Sequence, residues 1–364
     1  MNFESLYYEV ISKDRKLYQL PMLLMLRSVA VFYVWVQSLR AGLYRSGLFK
    51  TRRLPARVIS VGNLTLGGTG KTPTVMLIAE TLQAQGFKPA ILSRGYGGET
   101  VNEVNVVCDG KAVLLDPEIA GDEPVMMAHR LKNVPILTGR NRFKTGRYAL
   151  EHLGADTLIL DDGFQHLALH RDLNILLCDH KSPFGNEVIF PAGHLREPLQ
   201  AVRRADLICV TRYGPAGNLE AVQRVNSKQV PLVKMTFEAK TLVQVSTGES
   251  TGLDAMKDRP VAALCGIAQP KAFLKSLEQA QARVVSHHIF PDHFQYLPEH
   301  LRAVEEKARA AGAEWLVTTE KDAVKLLKFE FSIPVYRVCL AVNIVDGREA
   351  WNRMLEAAAT VPAG

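Results

Sequence analysis

The sequence predicts an α/β protein with a mostly parallel β-sheet, and three observations favour this class. Apolar runs of strand length recur between segments of helix length, as in successive β-α units. The first run, at 57–61, passes into a glycine-rich turn and then into a helical pattern. Two later runs, at 157–160 and 316–319, end in polar residues, and ligands of parallel sheets lie at such carboxyl ends.

The glycine-rich turn predicts a nucleotide site. Such a loop turns its N–H groups inward beside a lysine, and the helix that follows directs its positive end at the same place. Thr65 replaces the first glycine of the usual G-x-x-x-x-G-K-[ST] pattern, and the flanking strand and helix disfavour a plain turn with an exposed lysine. We expect Thr72 to help hold Mg²⁺. The predicted phosphate-binding residues are Thr65, Leu66, Gly67, Gly68, Thr69, Gly70, Lys71 and Thr72.

The remaining elements of this first domain follow in order. A helix is expected to about Gln85 and a second strand at 89–92. The later apolar runs, most of them separated by helix-length segments, are 104–108, 134–138, 157–160, 173–178 and 207–211.

Two aspartates, Asp161 and Asp162, follow the run at 157–160. Acidic groups at a strand end can hold the nucleotide's Mg²⁺ directly or through water, as in a Walker B strand. An aspartate there can also cap the next helix. The phosphate loop favours the metal-binding interpretation for both residues.

Other polar residues leave two interpretations open. Asp122, which opens a helix, is either an N-cap or a carboxylate directed at the phosphates. Arg140 and Arg142 belong to a basic segment that is either a solvated face or a site for an anionic substrate. Arg196 and Glu197 lie in a loop rich in turn residues, and such loops often carry sites.

Beyond residue 230 the chain changes character. Residues 231–245 alternate like an extended strand, and later strand-to-helix patterns start at 260 and 316, so a smaller α/β domain is expected. Between these patterns, His293 follows Asp292 in an aromatic, proline-bounded turn; it is either structural or part of a site in a cleft. The predicted division is 1–50 (N-terminal helix), 51–230 (nucleotide-binding domain), 231–254 (linker), 255–335 (smaller domain) and 336–364 (return strand and C-terminal helix).

The N-terminal segment predicts membrane contact. Residues 17–39 are apolar and aromatic with basic flanks, and they are long enough to span a bilayer, but Arg27 disfavours a clean span. We expect a helix in the membrane interface, with Leu24, Val31 and Trp35 on its apolar face; a core helix is the alternative. The basic residues expected near anionic head groups are Lys13, Lys16, Arg40 and Arg45.

Charge and cysteine usage narrow the class of protein further. Of the formal net charge of +7, the first 55 residues carry +6, from nine Lys/Arg and three Asp/Glu. A nucleic-acid binder would spread its basic residues over the folded domain, so no nucleic-acid partner is predicted. The scattered cysteines are expected to be buried thiols in a reducing compartment, and they are Cys108, Cys178, Cys209, Cys265 and Cys339.

Several motifs together resemble the tetraacyldisaccharide 4′-kinase family, in the same order and over nearly the whole chain. They are Gly62–Pro73, Leu92–Gly97, Gly121–Pro124, Asp161–His166, Pro191–Gly193 with Leu195–Glu197, Phe290–His293 and Thr319–Asp322. The resemblance implies a P-loop NTPase-like domain, a smaller second α/β domain and an N-terminal membrane-associated helix. It also implies transfer of the γ-phosphoryl of ATP, with Mg²⁺, to the 4′-hydroxyl of a tetraacyldisaccharide 1-phosphate. The product is lipid IVA, made in lipid A biosynthesis at the cytoplasmic face of the Gram-negative inner membrane.

The resemblance further assigns roles to particular residues. Asp122 becomes the base, His293 its partner, and Lys71 the phosphate-binding lysine. Beyond what the resemblance assigns, we expect lipid contacts from Gln165 and His166 with Arg140 or Arg142, and also from Arg196. Glu197 is expected to support the metal or the substrate, and residues 319–322 are expected near the adenine. The lipid substrate and the membrane surface are the expected partners, and no protein partner is implied.

Two rival classes of nucleotide-binding protein fit less well. A partition-type ATPase would have a lysine before Gly-Gly-x-Gly-Lys-Thr, where this chain has Leu66. A GTPase would need Asn/Thr-Lys-x-Asp, but Asp322 directly follows Lys321 here.

Overall fold

The computed structural model describes residue 7 and residues 9–11, 17–99 and 102–360, and it shows an α/β protein with an apolar N-terminal helix. The strands are β1 (Arg57–Asn63), β2 (Pro89–Ser93), β3 (Asn105–Cys108), β4 (Ile136–Thr138), β5 (Thr157–Asp161), β6 (Leu173–Asp179), β7 (Leu207–Thr211), β8 (Leu232–Gln244), β9 (Ser250–Gly252), β10 (Pro260–Cys265), β11 (Arg283–Ile289), β12 (Trp315–Thr319) and β13 (Val335–Asp346). The α-helices are α1 (Leu20–Arg45), α2 (Lys71–Ala84), α3 (Pro117–Ala120), α4 (Asp122–Arg130), α5 (Arg142–His152), α6 (Leu219–Val225), α7 (Pro270–Gln279), α8 (Pro298–Ala310), α9 (Glu320–Leu326) and α10 (Arg348–Thr360).

Contacts divide the chain into two compact units. Unit 1 contains the described residues of Met1–Lys71, Thr157–Thr236 and Ile344–Gly364, and unit 2 contains those of Thr72–Asp156 and Phe237–Asn343. The chain therefore passes between units at the start of α2, before β5, within β8 and within β13. The contiguous domain boundaries expected from the sequence stay predictions.

Unit 1 is built on parallel strands in the order β5-β1-β6-β7-β8. Their near-continuous apolar sequences are explained by burial, which is complete along β5 and β7. The turn after β5 packs tightly on the end of β1: a Cβ on Gly62 would lie 2.7 Å from Cβ of Phe164. Because only glycine fits there, the acidic turn and the strand that leads to the phosphate loop are held close together.

Unit 2 combines parallel and antiparallel pairs. β4 pairs with β2 in parallel and with β3 antiparallel, whereas β11, β10, β12 and β13 are successive parallel neighbours. Helices cover both faces of this second group: Phe273 and Leu277 of α7 enter one apolar cluster, and Leu301 and Val304 of α8 enter another. The predicted α/β class and mostly parallel pairing are confirmed.

Helix α1 belongs to unit 1 and is the one described helix long and apolar enough to cross a membrane. Tyr33 and Val34 pack against the apolar cluster of unit 1 that contains Phe164. Leu24, Val31 and Trp35, the residues assigned to an apolar face, are 56%, 70% and 60% exposed. A core helix is therefore disfavoured. Lys13 and Lys16 lie outside the described residues.

All five cysteines are buried and free, as expected. Burial raises the pKa of the Cys178 thiol to about 12. A thiol that stays protonated is a poor nucleophile and metal ligand, so these side chains act as core residues.

Candidate functional site

The phosphate loop joins β1 to α2 at the carboxyl end of the sheet of unit 1. Gly67 and Gly68 are exposed, whereas Thr65 and Thr69 are buried and anchor the loop. The first part of the loop is held by backbone hydrogen bonds to a neighbouring segment. Leu66 N–H donates to the carbonyl of His194 at 2.7 Å.

Lys71 is oriented by two acceptors in unit 1. Its Nζ lies 3.3 Å from Oδ1 of Asn63 and 3.7 Å from Oδ1 of Asp162. Asn63, the last residue of β1, also donates to the carbonyl of Thr65 at 2.8 Å. The end of β1 therefore orients both the loop and its lysine, which is the arrangement that a phosphate site needs.

The acidic pair ends β5. Asp161 is 3% exposed, whereas Asp162 is partly open and accepts a hydrogen bond from Arg196 Nη1 at 2.7 Å. Asp162 has φ +51°, a left-handed conformation that is unfavourable for a residue with a side chain. This backbone turn directs Asp162 to Lys71 and Arg196. Both carboxylates have the oxygen chemistry that Mg²⁺ prefers.

Gln165 and His166 continue from that turn. Gln165 Nε2 donates to the carbonyl of Asn63 at 2.9 Å, and the Gln165 carbonyl accepts from Arg40 of α1 at 3.1 Å. His166 is half-buried, and its carbonyl accepts from Arg171. Glu197, 7% exposed, is paired with Arg204 at 2.7 Å.

In unit 2, α2 and α4 are connected by a contact that the sequence interpretation missed. The hydroxyl of Thr72 donates to Oε2 of Glu123 at 3.2 Å. Glu123 directly follows Asp122 in the Gly-Asp-Glu-Pro motif, and this position was the one feature of the sequence that could have marked Glu123 as a site residue. A hydroxyl beside a carboxylate is a further oxygen donor set suited to Mg²⁺.

Asp122 is the first residue of α4, and Gly121 occupies the capping position, so the N-cap interpretation of Asp122 is wrong. Gly121 has φ +88°, and a Cβ there would lie 2.5 Å from the carbonyl oxygen of Tyr96. Glycine is therefore required at this position. The close approach seats the start of α4 against the Gly95–Gly98 turn.

His293 and Lys325 both contact Oδ2 of Asp122, with His293 Nδ1 at 3.2 Å and Lys325 Nζ at 3.1 Å. The side chain of Lys325 is only 4% exposed. Burial opposes ionisation of Asp122, but the His293 hydrogen bond and the Lys325 charge outweigh it, and its pKa lies below the ordinary value. Asp122 is therefore a carboxylate at neutral pH.

A second lysine of α9 contacts the other side of the imidazole. Lys321 Nζ lies 3.1 Å from His293 Nε2 and 2.8 Å from Oδ1 of Asp292. An ammonium has no lone pair, so Nε2 accepts from Lys321 and the Nδ1–H of a neutral imidazole donates to Asp122. His293 itself has φ +59°, a second left-handed residue at the site.

The other residues expected to bind substrate or adenine are placed as follows. Arg140 is exposed, and Arg142 is buried with Nη1 donating to the carbonyl of Gly139. The Thr319 hydroxyl caps α9 by accepting from the N–H of Asp322, whose carboxylate is fully buried. Arg142, Thr319 and Asp322 thus hold local structure in unit 2.

This chain has a strand, a glycine-rich loop, a lysine and a helix in that order, and two aspartates at the carboxyl end of the neighbouring strand β5. These features define a P-loop nucleotide-binding protein. Comparisons with known proteins name the family. The family model described as tetraacyldisaccharide-1-P 4′-kinase matches residues 22–359. The chain belongs to this family.

Similar proteins cover almost the full length of this chain. A tetraacyldisaccharide 4′-kinase of Syntrophus aciditrophicus is 42% identical over 356 residues, 94% of each chain. One of Geobacter metallireducens is 42% identical, over 89% of this chain and 95% of the relative. The solved structure of LpxK from Aquifex aeolicus in complex with ATP has a TM-score of 0.75 and 33% identity, and the match covers 91% of this chain and 97% of that one.

Proposed function

We propose that this protein is an ATP-dependent tetraacyldisaccharide 4′-kinase that transfers the γ-phosphoryl of ATP to a sugar hydroxyl of a lipid A precursor and forms lipid IVA. The observation that carries the proposal is the family match over residues 22–359, which includes both the phosphate loop and the Asp122–His293 pair. Relatives with this name match along almost their whole length.

The phosphate loop supplies the nucleotide half of the chemistry. Its N–H groups and Lys71 would bind the β- and γ-phosphates, and Thr72 with Asp161 or Asp162 would hold Mg²⁺. When bound there, the ion would neutralise charge that develops on the phosphoryl oxygens. Within the described residues, no group of three or more His, Cys, Asp or Glu side chains surrounds a common metal position. Mg²⁺ is commonly bound by one or two carboxylates together with substrate phosphates.

Asp122 is proposed to act on the sugar hydroxyl that accepts the phosphoryl group. His293 and Lys325 both contact Oδ2 of Asp122. The other carboxylate oxygen, Oδ1, is the one proposed to accept the proton of the sugar hydroxyl. A carboxylate with a lowered pKa is a weak base. Phosphoryl transfer passes through a loose transition state, so orientation of the hydroxyl matters more than early proton removal. His293 fixes that orientation as a hydrogen-bond donor.

Lipid contacts are proposed for Gln165, His166, Arg140, Arg142 and Arg196, with Glu197 in a supporting role. Of the arginines, Arg140 is exposed, whereas Arg142 and Arg196 already bind other groups of the protein. Arg140 therefore has the side chain that is most available to an anionic substrate.

We further propose that α1 binds the cytoplasmic face of the inner membrane. Its exposed residues include Met25 and Phe32 besides the predicted face. An exposed apolar and aromatic stripe with basic residues such as Arg40 and Arg45 near its end suits an interface with anionic lipids. This location gives the enzyme access to a membrane lipid, and no nucleic acid or protein partner is proposed.

The test is a turnover assay with γ-labelled ATP and a detergent-dispersed tetraacyldisaccharide 1-phosphate. The proposal expects label on the lipid, at the 4′ position, in a Mg²⁺-dependent reaction. Label that stays in ATP, or appears only as free phosphate, would favour a binding protein or a simple ATPase instead. The same lipid with its 4′-hydroxyl blocked is the matched control.

A further inference from the structure

Two consecutive side chains at the end of β7 bind two consecutive carbonyl groups of the phosphate loop. The hydroxyl of Thr211 donates to the carbonyl oxygen of Thr69 at 2.9 Å. Nη2 of Arg212 donates to the carbonyl oxygen of Gly68 at 2.5 Å. All four residues belong to unit 1.

These contacts determine where the loop's N–H groups point. A peptide group is planar and trans, so its carbonyl and the N–H of the next residue point in opposite directions. Holding the Gly68 carbonyl outward therefore directs the N–H of Thr69 into the loop, and holding the Thr69 carbonyl does the same for Gly70. A phosphate loop binds anions through N–H groups oriented in this way.

The two side chains are themselves firmly placed. Thr211 is fully buried, and its hydroxyl also lies 3.3 Å from the carbonyl of Cys178. The guanidinium of Arg212 is held by Asp179 at the end of β6, through Nε at 2.6 Å and through Nη2. Arg212 has φ +51°, an unfavourable backbone conformation that persists where tertiary contacts determine it, often at functional sites.

We propose that Thr211 and Arg212 are positioning residues that orient the Thr69 and Gly70 peptide groups for binding nucleotide phosphates. The proposal rests on the nucleotide-binding role given above to the loop. Neither residue is required to touch ATP. Their effect is on the geometry of the N–H groups that do.

The test measures MgATP affinity of the full-length protein directly by calorimetry, without lipid. Thr211→Val removes the hydroxyl at nearly constant volume, and Thr211→Ser restores it. We expect Thr211→Val to weaken MgATP binding about five- to tenfold, the effect of one lost hydrogen bond, and Thr211→Ser to stay within about twofold of the wild type. Arg212→Gln should weaken binding similarly. Arg224→Gln, which removes an exposed ion pair with Glu187 in the same unit, is the control.

Steady-state kinetics separate positioning from general damage. The proposal expects KM for ATP to rise in Thr211→Val while KM for the lipid stays near wild type. The thermal midpoint should fall modestly in this variant, because two buried carbonyls lose a donor, so the separation rests on the two KM values. Unchanged ATP affinity in both Thr211→Val and Arg212→Gln would overturn it, as would weaker binding that Thr211→Ser does not rescue. If wild-type protein binds MgATP but does not phosphorylate the lipid, the proposed function fails while this inference still stands.

Discussion

Replacing Lys325 by methionine tests how unit 2 holds Asp122. Methionine keeps much of the side-chain length and removes the charge. The Lys325 ammonium lies 3.1 Å from Asp122 and 3.5 Å from Asp322, whose side chains are 5% and 0% exposed. The substitution therefore leaves two buried carboxylates without the cation between them.

The expected loss of stability follows from the groups that remain. Removing one partner of a buried ion pair costs about 3–5 kcal/mol. Asp322 keeps donors in Gly266 N–H at 2.9 Å and Tyr296 Oη at 3.2 Å, and Asp122 keeps His293. We therefore expect a loss near the lower end, about 3 kcal/mol. Adding Asp122→Asn removes one stranded charge, so the double variant should be less destabilised than the sum, with a coupling of about 1–3 kcal/mol.

The destabilisation caused by Lys325→Met should depend on pH, and the direction follows from the pKa of Asp122. The pKa of Asp122 is lowered in the folded protein, so its stabilising contribution is complete above the unfolded value of about 3.9 and is lost as pH falls through the folded pKa. In Lys325→Met the pKa of Asp122 rises, because the neighbouring ammonium is gone. The destabilisation of this variant should be largest at neutral pH and should shrink as the pH is lowered and the carboxylate protonates.

Hydrogen exchange of peptides from α4 and α9 is the appropriate assay, since a chain with two units need not unfold in one step. Lys328→Met is the matched control, because Lys328 makes an exposed pair with Asp116 and should leave protection in α9 unchanged. Protection in Lys325→Met equal to wild type at pH 7, or a loss that does not vary with pH, would refute the reasoning.

Three further outcomes are expected. Asp122→Asn and His293→Ala should bind MgATP normally but lose about 10²–10⁴ in kcat, the usual worth of a positioned acid–base group; wild-type kcat in a lipid phosphorylation assay would contradict the assignment. Chelation of Mg²⁺ should abolish turnover, and Thr72→Ala should raise the Mg²⁺ concentration for half-maximal rate, as a metal titration would show. Changing Val31 and Trp35 together to serine should weaken sedimentation with anionic vesicles without altering ATP affinity, and equal sedimentation would argue against membrane binding by α1.

The sequence predicted the α/β class and the phosphate loop because both depend on local pattern. Apolar runs bounded by turn residues predict strands, and a Gly-Lys-Thr turn between strand and helix has few other uses. The apolar run at 104–108 contains β3, as predicted. That strand pairs antiparallel with β4, and strand direction cannot be predicted from the periodicity of apolar residues. β1 ends at Asn63, two residues beyond the apolar run at 57–61, and β5 ends at Asp161, one residue beyond the run at 157–160.

The partners of the candidate catalytic residues could not be found in the same way. Asp122 and His293 were paired only through resemblance, since 171 positions separate them in the chain. Lys321 and Lys325 lie one turn apart on α9, and this spacing places them on the same helix face. Nothing in their own sequence neighbourhood indicates that this face meets Asp122 and His293. Such contacts depend on tertiary packing, which local pattern does not determine.

Three residues of the candidate site share an unfavourable backbone conformation, although only two of them were predicted from the sequence. Asp162, Arg212 and His293 all have left-handed φ angles without being glycine. In each case the side chain has a partner distant in sequence: Arg196 for Asp162, the Gly68 carbonyl for Arg212, and Asp122 for His293. Such conformations are unfavourable in an isolated turn and persist where tertiary contacts compensate for them. Glycine at any of the three positions would relax the turn but would remove the side chain that makes the contact. The strain at these positions is therefore a consequence of directing a particular side chain to a particular group.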